Sequence, residues 1–155
     1  TIAELEHEGG KEPAVSDWIE VTQERIGLFA DATGDHQWIH VDPDRARAGP
    51  FGTTIAHGFL TLSLLPEMSA SAIQVRDTRM GVNYGLNKVR FPAPVPSGSR
   101  LRGHFKLVKF EPLEGGAQLT YEVRMEREGS DKPVCITESV GRRFSSGRCH
   151  EGAVE

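Results

Sequence analysis

Asp35 and His40 are the pair whose types and spacing best suit proton chemistry. They lie five residues apart, in Thr33-Gly34-Asp35 and Ile39-His40, just where a helical pattern stops. A carboxylate and an imidazole brought together on a loop can hold one water between them. The imidazole exchanges protons near neutral pH, because its unperturbed pKa is about 6.5, and the carboxylate orients the ring or the water. Taken alone, such a pair is more often a turn cap at Asp35 and a ring packed against Ile39 or Val41. A metal site is the poorer reading. Asp35, His36 and His40 offer ligand atoms, but no third spaced pair completes a set and His57 falls on another element, so no metal is expected.

The second feature is Ala56-His57-Gly58-Phe59, at the start of an apolar helical pattern. The first N–H groups of a helix have no intrahelical partner and stand at the positive end of its dipole. A glycine there lets a ligand approach the backbone, so the Gly58 N–H could stabilise a carbonyl oxygen that gains negative charge during a reaction. The same residues read equally as a glycine allowing close packing and a histidine capping the helix start.

These residues need elements to position them. Trp18–Val21 suggests a short strand. Thr22 is placed as an N-cap with Glu24 in the first turn, Ile26, Phe29, Ala30 and Thr33 follow at helical steps, and Gly34 ends the helix. Asp42-Pro43 can start one helical turn within an otherwise irregular stretch from Asp35 to Thr54. Ile55, Phe59, Leu62 and Leu65, flanked by Leu60 and Leu64, predict a second helix with a wide apolar surface, buried on most sides, with a shift or kink at Pro66.

Beyond Gly81 the period drops to two. Leu119, Tyr121, Val123 and Met125 alternate with Thr120, Glu122, Arg124 and Glu126, a half-buried strand. Asn83–Phe91, Leu101–Phe110 and Val134–Phe144 are further strands, separated by turns at Glu114-Gly115-Gly116 and Gly129-Ser130-Asp131. The proline-rich run 91–98 belongs at an edge or in a connection. The pattern is α+β: one buried helix covering one face of an antiparallel sheet, in a single domain. Residues 1–14 read as a polar, loose lead-in with room for a short helix, 15–144 as the domain, and 145–155 as a frayed, flexible tail.

Composition narrows the class. The chain has 155 residues, 37% hydrophobic and 26% charged, enough for one sizeable core and unlike a disordered or membrane protein. Its longest apolar stretch, Ile55–Leu65, is too short to span a bilayer, and no secretory signal pattern opens the sequence. A net charge of −4 argues against nucleic acid as the main partner. Two cysteines, Cys135 and Cys149, build no disulfide framework, and Cys135 between Val134 and Ile136 reads as a core thiol. A cytoplasmic location is expected.

Taken together, Phe29, Thr33-Gly34-Asp35, Ile39-His40 and His57-Gly58 resemble the MaoC-like, R-specific enoyl-CoA hydratases and 3-hydroxyacyl-thioester dehydratases of the hot-dog fold. Tyr84 and Phe91-Pro92-Ala93-Pro94-Val95 are similar to that family's strand after the helix, and the likeness covers residues 16–143. One departure stands out: Gln37-Trp38 occupies the place of the family's Asn-Pro, at unchanged spacing. Trp38 could pack against an acyl chain or brace the loop.

The resemblance implies an antiparallel sheet wrapped around a central helix, and reversible hydration of a trans-2-enoyl thioester. Asp35 and His40 would be the catalytic dyad acting on water, with the Gly58 N–H facing the thioester oxygen. Trp38, His57 and Asn87 are substrate-pocket candidates, and no cofactor is needed. The substrate would be an acyl-CoA or acyl-carrier-protein thioester, and the chain would form a homodimer; Lys88, Arg90, Arg100 and Arg102 are candidates for the CoA phosphates, although alternating charges on strands are more often a solvated face. Two alternatives accompany this reading: a thioesterase on the same fold, and a non-catalytic acyl-binding subunit of a heteromeric dehydratase.

Overall fold

A computed structural model describes residues 1–145; the flexible tail expected beyond Ser145, and Cys149 within it, lie outside the described residues. A 3-10 helix (Ala3–His7) leads into the short strands β1 (Ala14–Val15) and β2 (Ile19–Val21). The helix α1 (Gln23–Thr33) follows, then two single turns, α2 (Trp38–Val41) and α3 (Pro43–Arg47). The central helix comes as two pieces, α4 (Gly58–Ser63) and α5 (Leu65–Ala72). Four long strands complete the domain: β3 (Thr78–Arg90), β4 (Ser99–Leu113), β5 (Gly116–Arg127) and β6 (Cys135–Ser145).

All pairings are antiparallel, in the order β1-β4-β5-β6-β3, with β2 also on β4. The sheet wraps the central helix: Leu60, Leu64, Leu65 and Met68 pack with Leu101, Phe105, Val123, Met125 and Cys135 in one buried cluster. Each such side chain removed from water contributes about 1.5–3 kcal/mol. This is the hot-dog architecture expected from the sequence.

The termini of α1 follow its chemistry. Thr22 Oγ1 accepts from the Arg25 N–H at 3.1 Å, and Gly34 adopts φ of 80°, a left-handed stop that a side chain would resist. Asp42 caps α3 the same way, accepting from the Arg45 N–H at 3.1 Å. Cys135 is fully buried, and desolvation pushes its thiol up to about 11.

Three expectations need correction. The lead-in is not loose: Ile2 and Leu5 are buried against Leu107, Ala117 and Leu119, and the Ile2 N–H donates to Asp77 at 2.8 Å. Two apolar residues in a polar stretch suffice to dock it. The central helix starts at Gly58 rather than Ile55, because residues 54–56 are held in extended contacts: Ile55 N–H to Ile39 O at 3.0 Å and Ala56 N–H to Val95 O at 2.8 Å. Nor is that helix buried on most sides, since Phe59 is 71% exposed. The break at Leu64, just before Pro66, fits the loss of a backbone donor there.

Candidate active site

His40 sits on α2, a turn that the sequence pattern does not show. Its ring is buried, and hydrogen bonds fix both the ring and its backbone. Nδ1 lies 2.7 Å from the Ile55 carbonyl oxygen. A carbonyl only accepts, so Nδ1 carries the proton and Nε2 keeps its lone pair free to take one. The His40 carbonyl accepts from Gln23 Nε2 at 2.8 Å, and the other end of that amide, Oε1, accepts from the buried Thr54 hydroxyl. Gln23 therefore ties the first turn of α1, the α2 backbone and the 54–56 segment together.

Burial holds the His40 imidazolium below the usual histidine range, and the nearby His57 ring acts in the same direction. The Ile55 carbonyl and the Asp35 carboxylate oppose them without reversing the outcome. A neutral imidazole at neutral pH is what a general base requires.

Asp35 follows the helix stop and is exposed. Its Oδ1 accepts from the Gln37 N–H at 3.3 Å, and its backbone carbonyl accepts from His57 Nε2 at 3.0 Å. Asp35, His40 and His57 each place an oxygen or ring nitrogen within 4.8 Å of the others. The carboxylate and the imidazole expected to work together are thus brought together. The two imidazoles stack with centroids 3.8 Å apart and planes 26° apart. Their in-plane lone pairs run side by side in nearly parallel planes, and one nitrogen of each ring is already on a carbonyl. That suits a stacked pair better than ligands converging on one ion. His36 turns elsewhere, to Asp31 at 2.8 Å, and that hydrogen bond raises its pKa.

Gly58 opens α4, and a Cβ there would fall 3.0 Å from Cδ2 and Cε2 of Phe91. Close packing of the Phe91 ring is therefore one reason for the glycine. A cavity of about 340 Å³ adjoins this first turn, lined by Phe51, Ile55, Gly58, Phe91 and Val95 among others.

The remaining candidates are placed as follows. Trp38 lies against the Gly49 backbone, where a Cβ would meet its ring at 3.0 Å, and beneath the Arg45 guanidinium at 4.4 Å. These contacts brace the loop. Asn87 donates to Glu138 at 3.0 Å on the exposed surface where β3 pairs with β6. Arg100 and Arg102 stand over Trp18 and pair with Glu128 and Glu126 at 3.0 and 2.8 Å. Sequence reasoning missed Gln23 and Thr54, which lie 17 and 31 residues from their partners. No local pattern marks them.

Comparison with known proteins identifies the family. The MaoC-like domain model matches residues 4–128. The 3-hydroxyacyl-thioester dehydratase Z of Mycobacterium tuberculosis is 56% identical over 143 residues, 92% of this chain and 95% of that protein. Nodulation protein N of Rhizobium leguminosarum is 50% identical over 138 residues, 86% of this chain and 85% of its own. The unliganded R-hydratase PhaJ1 of Pseudomonas aeruginosa superposes with a TM-score of 0.74 at 22% identity, over 99% of this chain and 94% of that one. No described helix is long and apolar enough to cross a membrane. With a family model covering most of its length and relatives at this identity, the chain belongs to the MaoC-like dehydratases, enzymes built on the hot-dog fold.

Proposed function

We propose that this protein interconverts a trans-2-enoyl thioester, an enoyl-CoA, and the R-3-hydroxyacyl thioester, using Asp35 and His40 to activate water. The observation that carries this reading is the free Nε2 of the buried His40 beside the exposed Asp35 carboxylate. The 56% identical relative that is named a 3-hydroxyacyl-thioester dehydratase supports the substrate class.

In the hydration direction, the dyad takes one proton from water as its oxygen bonds to C3. The C2=C3 electron pair moves toward the thioester carbonyl, whose oxygen gains charge. The Gly58 N–H, at the start of α4, is the donor for that oxygen, and such donors typically contribute 10²–10³-fold in rate. The dyad then returns one proton to C2, so the cycle leaves the protein unchanged and uses no cofactor. Asp35 binds and orients the water, and His40 Nε2 accepts the proton.

We further propose that the chain works as a homodimer. The support is β3, which pairs only with β6 among the described strands and exposes Met80, Val82, Tyr84 and Leu86 along an open edge.

The test follows the enoyl-thioester absorbance when purified protein meets crotonyl-CoA and a longer 2-enoyl-CoA, with chiral analysis of the product. Loss of absorbance with an R-3-hydroxyacyl product is expected. Release of free thiol from a saturated acyl-CoA would favour the thioesterase reading instead. Binding of acyl-CoA without turnover would favour the subunit reading.

A further inference from the structure

His57 is 2% exposed, too deeply buried to serve as a substrate contact, yet it touches both members of the proposed dyad. Its Nε2 meets the Asp35 carbonyl oxygen at 3.0 Å, so this nitrogen carries the proton. Its ring lies flat against His40 at 3.8 Å, while Phe29 closes on it at 4.9 Å and 54°. Its Nδ1 is buried with no hydrogen-bond partner among the described residues. An unpartnered polar atom at this depth carries a solvation cost, and a fold that keeps it has a use for the ring.

The geometry points to His57 as a positioning residue for the hydration reaction: its N–H fixes the Asp35 backbone, and its face holds the His40 ring in place. This rests on the proposed Asp35–His40 dyad. The two imidazoles hold opposite tautomers, Nδ1–H on His40 toward Ile55 O and Nε2–H on His57 toward Asp35 O. Burial lowers the His40 pKa, and the His57 ring stacked against it acts in the same direction. Besides His57, the ionisable group that acts on His40 is Asp35, and Asp35 acts in turn on the exposed His36 of the His36–Asp31 pair. The arrangement leaves His40 as the ring that takes the catalytic proton, because its Nε2 is free while the His57 Nδ1 is sealed inside.

Three variants separate the two contacts. His57→Ala removes both, His57→Gln restores a donor toward Asp35, and His57→Phe restores a flat face without the donor. His57→Ala is expected to lower kcat about 10²-fold, the scale of a small misplacement of reacting groups, with KM nearly unchanged. His57→Gln should recover about 10-fold of that loss, since one hydrogen bond is worth roughly one decade. In His57→Phe, the acid limb of the kcat/KM profile should move to higher pH, because His40 gains its proton without a second imidazole beneath it. A rise in KM with kcat intact would make His57 a substrate contact and overturn the inference, as would an unmoved acid limb.

Nitrogen NMR of the unsubstituted protein decides the question even if the variants fold poorly. Opposite tautomers are expected, Nδ1–H on His40 and Nε2–H on His57; the same tautomer on both rings would refute the inference. Asp35→Asn and His40→Ala run alongside. Full activity in those would remove the dyad and this inference with it. Loss of activity there, with a His57→Phe profile like wild type, would remove the inference alone.

Discussion

Replacing Gln23 by Leu tests whether the buried amide brace holds the catalytic turn. Gln23 makes two hydrogen bonds, one to the His40 carbonyl and one from the Thr54 hydroxyl. Each is worth about 1 kcal/mol net, and the Thr54 hydroxyl, 2% exposed, would stay buried without its acceptor at a further cost of about 1–3 kcal/mol. The sum is roughly 3–5 kcal/mol, which for a chain of this length lowers Tm by about 6–20 °C. Thermal and urea unfolding read it directly. A drop in kcat of about 10–10²-fold should accompany it, because α2 loses the tie that sets its His40 carbonyl. Adding Thr54→Val removes the orphaned hydroxyl, so the double variant should be about 1–3 kcal/mol more stable than the two single losses predict. Strict additivity would refute the brace.

Gly58→Ala puts a methyl 3.0 Å from the Phe91 ring; a cost of about 1–3 kcal/mol and reduced kcat are expected, and Phe91→Leu should recover the stability seen in urea melts. Met68→Ala empties a fully buried site between α5 and the sheet and should cost about 2–5 kcal/mol by denaturant unfolding. With Cys149 replaced by Ala, Cys135 should resist alkylation near pH 8 until the protein unfolds, since its thiol is buried and pushed up to about 11. Because His40 binds its proton less readily folded than unfolded, its contribution is complete above about pH 6.5 and is lost as pH falls below that value; urea melts across this range should show the slope in wild type and less of it in His40→Asn.

Local signals carried much of the fold. Thr22 and Gly34 bracket α1, the alternation from Leu119 to Met125 runs along β5, and Cys135 lies in the core, because each rests on neighbours within a few residues. The proximity of Asp35 to His40 follows from a helix stop and five residues of spacing. What was hidden depends on distant partners. The turn α2 has four residues and no periodicity, and its position depends on Gln23, Thr54 and Ile55. Ile55 fits the helical period of the residues after it, yet its N–H is taken by Ile39, so the helix begins later. His57 read as a cap or pocket residue; its bond to the Asp35 carbonyl spans 22 residues and leaves no trace in sequence.

The most direct test of the proposed chemistry is the rate of crotonyl-CoA hydration by Asp35→Asn, His40→Ala and the double variant, each checked for native folding. The dyad predicts a loss of at least about 10²-fold in kcat for each single change and a double variant scarcely worse than either, because residues acting as one unit are strongly non-additive. Near-wild-type turnover in folded Asp35→Asn or His40→Ala protein would contradict it.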